Sequence, residues 1–370
     1  MCKRQTKFKE VMTQYKRKIR NFIIAVAGLL FLAGLITFLV DPFCHYHKPW
    51  FGLKAVLTDK EYQCIGTLKN FDYDALIVGS SVCENYNNAW FDEAFDCTSI
   101  KAVRSYGATA DLCWFMDEAY EEHDIKRVFY NIDPGALSSM PETTFESTGC
   151  PMYLYDDNPF NDIEYLLNKD VLFEKIPYMI AKSVSGDYDE GNSYNWGQWK
   201  EFNSDMILGL YIRKHSVAEM KPADYYSEEC RANIELIEEQ VKAHPETEFT
   251  IFIPPYSCVW WDNIYRYGDT EAYLENMRQA VVTLTAYDNV SFYYFLNDEE
   301  VVCDLENYMD VLHFSPDINH YIVNELTRED RRVDASNIDE VLAASRELSD
   351  RTVNEILQPY EDRILVEPYD

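Results

Sequence analysis

The sequence predicts an α/β domain, in which helices wrap a parallel sheet, preceded by one transmembrane helix. Two patterns predict this fold class. Short apolar or β-branched runs alternate with longer stretches of helical periodicity, which is typical of a parallel sheet with crossover helices. An uncharged apolar run at 22–40 precedes them, and about 20 such residues are enough to cross a bilayer.

The residues before this run predict its orientation. Positions 1–21 carry eight Lys and Arg residues and a single acid, Glu10, and a basic flank stays on the cytoplasmic side. A cleaved signal peptide is the alternative, but its apolar region is usually shorter and ends in a small-residue site. Here the run ends Leu39-Val40-Asp41-Pro42. We therefore expect a single-pass anchor with a cytoplasmic tail at 1–21 and an extracytoplasmic domain at 41–370.

The charge of the expected extracytoplasmic part narrows its partners. It carries 25 basic and 63 acidic residues, a net charge of −38. Such a surface repels polyanions, which argues against nucleic acid and against tight docking on bare anionic lipid. Acidity also keeps an exported protein soluble, so by itself it does not identify a substrate.

Cysteine usage predicts no metal centre. Nine of the ten cysteines follow the anchor, with no Cys-x-x-Cys motif and no zinc-ligand spacing. An odd number cannot pair completely within one chain, so a few structural disulfides and a set of free buried thiols are equally open. We expect neither a metal nor a cofactor. Cys44, His45 and His47 have metal-binding side chains, but their position after the anchor favours an interfacial cluster with Trp50 and Phe51.

The elements of the domain follow from local periodicity. Helical stripes of apolar residues predict helices at 109–122, 227–243 and 273–287, and a charged covering helix at 337–357. In the first of these, Leu112, Phe115 and Met116 share one face. Strands are predicted at 75–78, 99–103, 127–132, 248–253 and 290–294.

The alternation fails between Pro134 and about Tyr226, where Tyr, Trp, Asn, Asp and Gly are frequent. A long stretch without strands inside an α/β domain is usually an insertion that shapes the binding face. We expect 134–226 to form a substrate rim, with Trp196 and Trp199 as candidate substrate contacts. Core and rim packing accounts for most of the other aromatic residues. Tyr256, which follows a later strand, is a third candidate contact.

Three distant side chains have the chemistry of an acyl-transfer triad. Gly79-Ser80-Ser81 ends a predicted strand, and the carboxyl ends of parallel strands form the ligand crevice. A serine becomes a nucleophile when a histidine takes its proton and a carboxylate orients that histidine. Asp310 and His313 supply this pair. The alternative is that Asp310 caps a turn and His313 is an ordinary core histidine.

The residues after His313 predict a fixed helix start. Ser315 is a favourable helix N-cap, and Pro316 suits the first helical position. A helix that begins there would hold the loop carrying Asp310 and His313 in place. Cys83 is a possible competing nucleophile, although buried packing is the expected role for it.

These motifs resemble the first and last sequence blocks of the SGNH (GDSL-type) hydrolases. The early block is Gly79-Ser80-Ser81 and the late block is Asp310-Val-Leu-His313. The resemblance implies a flavodoxin-like, three-layer fold with a parallel sheet flanked by helices. It also implies that Ser81 is the nucleophile, that His313 is the base and that Asp310 orients the base. Ser80 then stands where the family usually has Asp.

The same resemblance implies an oxyanion hole. In that family the donors are the nucleophile's own N–H, a Gly of the second block and an Asn of the third. Ser81, Gly107 and Asn131 are the corresponding residues here, although the spacing around Asn131 is altered. Removal of one such donor costs roughly two to three orders of magnitude in rate.

Within the superfamily, the layout is similar to that of the membrane-anchored DltD-like proteins. The shared features are the basic tail, the anchor, the early serines, a Pro-Pro segment at Pro254-Pro255 and the terminal Asp310-Val-Leu-His313-Phe-Ser-Pro. This similarity implies a serine-dependent O-acyl esterase or acyltransferase of the bacterial cell membrane. Its substrate would be a cell-envelope polysaccharide or teichoic acid carrying O-acetyl or D-alanyl esters. The alternative is a non-catalytic adaptor that binds a membrane-bound O-acyltransferase or an envelope polymer.

Overall fold

A computed structural model describes residues 2–367 of the 370-residue chain. Two compact units are present. One contains the residues up to Val56 together with Pro151–Tyr188. The larger one contains Leu57–Cys150 and the residues from Asp189 onward, and it includes the central sheet and both predicted halves of the triad.

The larger unit has a mostly parallel six-stranded sheet in the order β2-β1-β3-β4-β5-β6. The first five strands are parallel to their neighbours, and only β6 runs antiparallel to β5. The mixed α/β class is therefore confirmed, and each of the five predicted strands lies within one residue of its expected bounds. The strands are β1 Ala75–Gly79, β2 Ser99–Val103, β3 Arg127–Asn131, β4 Glu248–Ile253, β5 Val290–Tyr294 and β6 Arg332–Val333.

Burial explains why these short runs form strands. All residues of β1 and β2 are buried, as are five of the six in β4. Such strands read as continuous apolar runs because helices cover both faces of a parallel sheet. In the central register, Val78 pairs with Ala102 on one side and with Tyr130 on the other. The residues that follow β1 and β3 therefore emerge side by side at one edge of the sheet.

Helices surround this sheet. The predicted helices at 109–122 and 227–243 have the expected bounds, and the first buries Leu112, Phe115 and Met116. The third begins three residues earlier than predicted because Gly268, with φ +71°, ends the preceding turn. The helices of this unit are α2 Lys60–Asn70, α3 Asn88–Phe95, α4 Thr109–Glu122, α7 Ser204–Leu210, α8 Ser227–Ala243, α9 Cys258–Arg266, α10 Thr270–Leu284, α11 Glu299–Val302, α12 Pro316–Glu325 and α13 Ile338–Arg351.

The predicted insertion is divided between the two units. Within the described residues, 134–226 contributes no strand to the central sheet, as expected. Its only strand, Ile212–Arg213, pairs in parallel with Leu365–Val366. Residues 151–188 belong to the smaller unit, so only the flanks of the insertion belong to the unit that carries the triad.

The smaller unit is built around α1 Cys2–Val40, with α5 Ile163–Leu166, a π-helical turn at Val171–Lys175 and α6 Ile176–Ser185. One stretch of α1, Val11–Val40, is long and apolar enough to cross a membrane, and its most apolar 18 residues have a mean hydropathy of 2.8. Only 11% of its most apolar window is buried, so α1 differs from the core helix of a soluble protein. This bears out one apolar spanning-length helix at the N-terminus.

The residues that follow α1 form a compact polar and aromatic turn. The buried Asp41 carboxylate accepts hydrogen bonds from the N–H groups of His45, Tyr46 and His47. The His47 ring stacks on Trp50 with centroids 3.5 Å apart. The cluster predicted here is thus formed by hydrogen bonding and ring stacking.

The sequence left open whether the cysteines form disulfides or remain free thiols. Among the described residues, nine cysteines are free thiols, and seven of these are buried. Cys2 belongs to α1, and its side chain lies outside the described part. Cys83 is fully buried, and burial raises the pKa of its thiol well above the usual value. A protonated, enclosed thiol agrees with packing rather than with a competing nucleophile.

Candidate active site

Ser81 lies in a tight turn that begins directly after β1. The N–H of Cys83 donates to the carbonyl oxygen of Ser80 at 3.0 Å and closes the turn. Gly79 is required here because a Cβ at that position would clash with Cys83 Sγ and lie 3.0 Å from Asn131 Cβ. The glycine therefore lets the chain turn closely over the end of β3 and present the next serines at the edge of the sheet.

The three predicted triad residues are in contact. Ser81 Oγ lies 2.8 Å from His313 Nε2, and His313 Nδ1 lies 2.7 Å from Asp310 Oδ2. The carboxylate assigns the tautomer, since a proton on Nδ1 leaves Nε2 free to accept the Ser81 proton. Burial acts to raise the pKa of Asp310, but the hydrogen bonds and charge of His313 outweigh it and lower that pKa. A charged Asp310 is thus maintained beside the histidine.

Asp310 also organises its own loop. Its Oδ1 accepts hydrogen bonds from the N–H groups of Leu312 at 2.9 Å and of His313 at 2.8 Å. The Met309 N–H donates to the His313 carbonyl oxygen at 3.1 Å and closes the loop. One carboxylate therefore fixes both the backbone around His313 and the orientation of its ring.

The Pro-Pro segment after β4 supports this loop from outside. The Ser257 hydroxyl donates to the carbonyl oxygen of Val311 at 2.9 Å. The buried Tyr308 hydroxyl donates to the carbonyl oxygen of Pro255 at 2.7 Å. The Pro-Pro segment, one of the features that resemble the DltD-like proteins, thus positions the loop that carries Asp310 and His313.

Helix α12 begins at Pro316, as predicted, and joins the two halves of the site. The Ser315 hydroxyl makes no capping hydrogen bond with the described residues, so its predicted side-chain cap is absent. Instead the Ser315 carbonyl accepts from the N–H groups of Ile318 and Asn319. The buried Asn319 amide donates to the carbonyl oxygen of Val82 at 3.2 Å. This bond connects the helix after His313 directly to the turn that carries Ser81.

Asp133, which the sequence analysis did not select, is a second carboxyl group at the site. It accepts hydrogen bonds from the Ser80 and Tyr256 hydroxyls and from the Asn131 amide, the last at 2.9 Å. Burial raises the pKa of Asp133 although all three bonds act to lower it. Since Ser80 bonds to Asp133 and Ser81 bonds to His313, the two adjacent serines have different partners.

The predicted oxyanion donors differ in availability. The Gly107 N–H donates to the Arg104 carbonyl oxygen at 3.1 Å, and the Asn131 amide is bonded to Asp133. The Ser81 N–H donates to no acceptor in the described part of the chain. Among the described residues, the Ser81 N–H is open and the Asn131 amide keeps a second N–H besides the one that Asp133 accepts, so the three-donor arrangement stays a prediction in which Gly107 would have to release the Arg104 carbonyl.

A cavity of about 670 Å³ opens over the triad. Its size is typical of small-molecule sites. The described residues that line it do not include Trp199, which is 78% exposed, whereas Tyr256 is buried in its wall. The residues most relevant to chemistry in the lining are Ser80, Ser81, Tyr106, Gly107, Asp133, Tyr256 and His313.

Trp196, which belongs to the predicted insertion, contacts His313. Its ring meets the His313 ring edge-on, with centroids 4.9 Å apart. The next residue is anchored because the Gly197 N–H donates to Asn85 Oδ1 at 2.8 Å, and Asn85 follows Ser81 in the chain. Trp196 therefore packs against His313, the candidate general base, whereas Trp199 is exposed and does not line the cavity.

The buried Lys101 of β2 fastens the same region. Its Nζ donates to the carbonyl oxygen of Glu84 at 2.9 Å and to that of Ser193. Burial lowers the pKa of Lys101 to about 7.

Within residues 2–367, no three His, Cys, Asp or Glu side chains are grouped so as to hold a metal ion. The chemistry that this arrangement offers is activation of a serine hydroxyl by a carboxylate-oriented histidine.

The fold and site together define an α/β protein with a Ser-His-Asp arrangement at the carboxyl edge of a mostly parallel sheet. No protein-family model matches the chain. No curated protein is significantly similar to it in sequence.

Proposed function

We propose that this chain is a membrane-anchored, serine-dependent O-acyl esterase or acyltransferase of the SGNH type. The observation that carries the proposal is the continuous contact from Ser81 through His313 to Asp310, at 2.8 and 2.7 Å. Residues 232 positions apart supply this contact. A histidine that merely filled a core would not need a serine on one ring nitrogen and a carboxylate on the other.

The sheet order supports an SGNH-type, flavodoxin-like fold. The order β2-β1-β3-β4-β5 is that of flavodoxin-like sheets, whose ligands bind at the switch point between the first and third strands. Ser81 follows β1 and Asp133 follows β3, so the cavity opens at this point. Only β6, the antiparallel edge strand, is added to the pattern.

The proposed reaction proceeds through an acyl-enzyme. Ser81 Oγ attacks the carbonyl carbon of an ester while His313 Nε2 takes the hydroxyl proton. The tetrahedral intermediate then expels the alcohol oxygen, which receives that proton from His313. Water or a polymer hydroxyl next gives its proton to His313 and attacks the acyl carbonyl, and the second tetrahedral intermediate expels Ser81 Oγ, which takes the proton back from His313. Asp310 stabilises the imidazolium in both steps.

The cavity favours a neutral substrate around the ester. Among the described residues that line it, none is Lys or Arg, and Asp133 is acidic. A phosphate-rich chain would meet no compensating charge there. Tyr106 stands at the cavity with 88% of its surface exposed and a left-handed φ of 58°. An exposed ring held in a costly backbone conformation is suited to stacking on a sugar. We therefore favour an O-acetylated polysaccharide, with D-alanyl esters as the other candidate.

The anchor supports an envelope location. The basic residues before the apolar run of α1 favour a cytoplasmic N-terminus, and the triad would then lie outside the cell. Envelope polymers and membrane-bound O-acyltransferases are then within reach. The proposed partners are a cell-envelope polysaccharide or teichoic acid and, for the transfer reaction, a membrane-bound O-acyltransferase.

A second candidate is a non-catalytic adaptor on the same fold. The N–H of Gly107 and one N–H of the Asn131 amide already have acceptors, which favours the adaptor because the oxyanion would have fewer donors. An adaptor for an O-acyltransferase or an envelope polysaccharide would use the cavity for binding and would not need Ser81 as a nucleophile.

Active-site labelling separates the two candidates. We expect the detergent-solubilised full chain to react with a fluorophosphonate and to release alcohol from acetyl esters. Both signals should vanish in Ser81→Ala and fall strongly in His313→Ala. Ser80→Ala tests the neighbouring hydroxyl, which bonds to Asp133. Equal labelling of wild type and Ser81→Ala would exclude the esterase, and sugar binding without labelling would favour the adaptor.

A further inference from the structure

Helix α5 packs against α1 within the apolar run, rather than beyond its end. The Thr37 hydroxyl donates to the carbonyl oxygen of Leu166 at 3.0 Å. At Gly34, a Cβ would lie 3.7 Å from Leu166 Cβ and 3.8 Å from Leu167 Cδ2, in ordinary van der Waals contact, so α5 lies directly against this turn of α1. The contact surface of α5 is therefore formed by α1 residues that belong to the uncharged stretch 22–40.

The position of this contact along α1 gives its depth. At about 1.5 Å per residue, Gly34 lies about 9 Å along the helix from Val40. The hydrocarbon core of a bilayer is about 30 Å thick. If α1 spans it, α5 lies inside the half of the core nearer Val40. The depth of α5 therefore depends on α1 being the membrane anchor of the proposed function.

The segment around α5 exposes large apolar side chains, as expected for contact with lipid. Phe160 is 89% exposed, Phe173 78% and Val184 80%. Helix α6 exposes 41% of Ile180, while its Ile176 and Met179 are buried. Exposed apolar surface on this scale marks an interaction site. All of these residues belong to the unit that contains α1.

An apolar groove of about 520 Å³ runs between α1 and α5. Its walls carry hydrocarbon side chains alone among the described residues. Because the α1 wall lies within the spanning stretch, the groove opens at the level of acyl chains. The lining residues are Ala27, Leu30, Phe31, Gly34, Leu35, Phe38, Ile163, Leu166 and Leu167.

We propose that residues 160–184, named here the leaflet segment, are immersed in the outer leaflet beside α1, with a lipid acyl chain in the groove. The segment also carries exposed charged residues, Glu164, Lys169 and Glu174, and this placement requires their side chains to reach the headgroup region. Insertion is driven by apolar burial, so it does not need anionic lipid. It is therefore compatible with the acidic surface of the extracytoplasmic part. The segment would set how the anchor and its flanking residues sit in the membrane.

Photo-crosslinking of the full chain in lipid nanodiscs tests this proposal. Benzoylphenylalanine is placed singly at Phe173, at Ile163 in the groove, at Phe31 in α1 and at Tyr106 as an exposed control in the other unit. We expect irradiation to add the mass of one phospholipid at Phe173, Ile163 and Phe31, and none at Tyr106. The yields should be equal in phosphatidylcholine and in phosphatidylglycerol.

Each other outcome overturns a distinct statement. Lipid adducts at Phe31 without adducts at Phe173 and Ile163 would show that the leaflet segment lies outside the bilayer. In native membranes, a protein adduct at Ile163 in place of lipid would identify a partner helix as the occupant and refute the acyl chain. Absence of adducts at Phe31 would refute the anchor itself. If the lipid adducts form but the wild-type chain hydrolyses no ester, only the proposed reaction is refuted.

Discussion

Asp310→Asn is the sharpest test of the proposed triad because it changes one atom at a position with two separable duties. Asp310 Oδ1 accepts the Leu312 and His313 N–H groups, and the Asn carbonyl oxygen retains that duty. At the other position, an amide NH₂ replaces the oxygen that lies 2.7 Å from His313 Nδ1. His313 must then carry its proton on Nε2, where it cannot accept the proton of Ser81.

The expected loss follows from the geometry. The side chains of His313 and Asp310 are 20% and 27% exposed, so an intermediate effective dielectric constant of about 20 applies. With charge centres about 4 Å apart, the carboxylate stabilises the imidazolium by about 4 kcal/mol. That free energy corresponds to about three powers of ten in rate. The wrong tautomer adds to the loss, and the analogous change in a serine protease costs about 10⁴ in kcat.

The assay compares kcat/KM for a chromogenic acetyl ester among wild type, Asp310→Asn and the matched control Asp317→Asn. Asp317 is exposed in the first turn of α12, so its variant should keep wild-type activity. Thermal unfolding should be nearly equal in the three proteins because the backbone acceptor is retained. If Asp310→Asn keeps activity within fivefold of wild type, Asp310 does not orient the base.

Three further changes test the supporting structure. Gly79→Ala should lower the free energy of unfolding by about 1–3 kcal/mol through overpacking against Cys83, as measured by chemical denaturation, and Gly79→Ala/Cys83→Ala should recover part of it. Trp196→Ala should lower kcat/KM about 2- to 10-fold by removing an aromatic contact of about 0.5–1.5 kcal/mol from His313, whereas the exposed Trp199→Ala should not change hydrolysis of a small ester. Lys101 has a pKa of about 7 in the folded chain and about 10.4 in the unfolded chain, so the folded chain binds fewer protons between these two pH values. The free energy of unfolding should therefore rise with pH across that window, and Lys101→Met should lack this rise. Parallel curves of unfolding free energy against pH for the two proteins would contradict this prediction.

The sheet could be predicted from the sequence because each strand is a short buried run between turn residues. Val290–Tyr294, for example, has the expected bounds at both ends. The third helix shifted by three residues because the left-handed Gly268 was not recognised as the end of the preceding turn. The triad could be predicted because its chemistry requires these residue types and because strand ends and helix starts have recognisable signals.

The surroundings of the triad depend on contacts that local patterns do not encode. Gly107 was a reasonable oxyanion donor, but its N–H is used by the Arg104 carbonyl in a turn where Tyr106 takes a positive φ. Nothing in the local sequence marks that conformation. Asp133 is different, since it follows β3 as Ser81 follows β1. Its position at a strand end marks it in the sequence in the same way.

Asp133 restrains an amide that the proposed oxyanion site would use. The Asn131 amide, which the family resemblance assigns to the oxyanion, is held instead by Asp133 at 2.9 Å. Burial raises the pKa of Asp133, while its hydrogen bonds to Ser80, Tyr256 and Asn131 act to lower it. An acyl oxygen arriving beside Ser81 would have to use the second N–H of this amide or compete with Asp133 for the first. If the chain is an enzyme, Asp133→Ala should therefore raise the rate of serine acylation by releasing Asn131. If it is an adaptor, the same change alters binding without creating turnover.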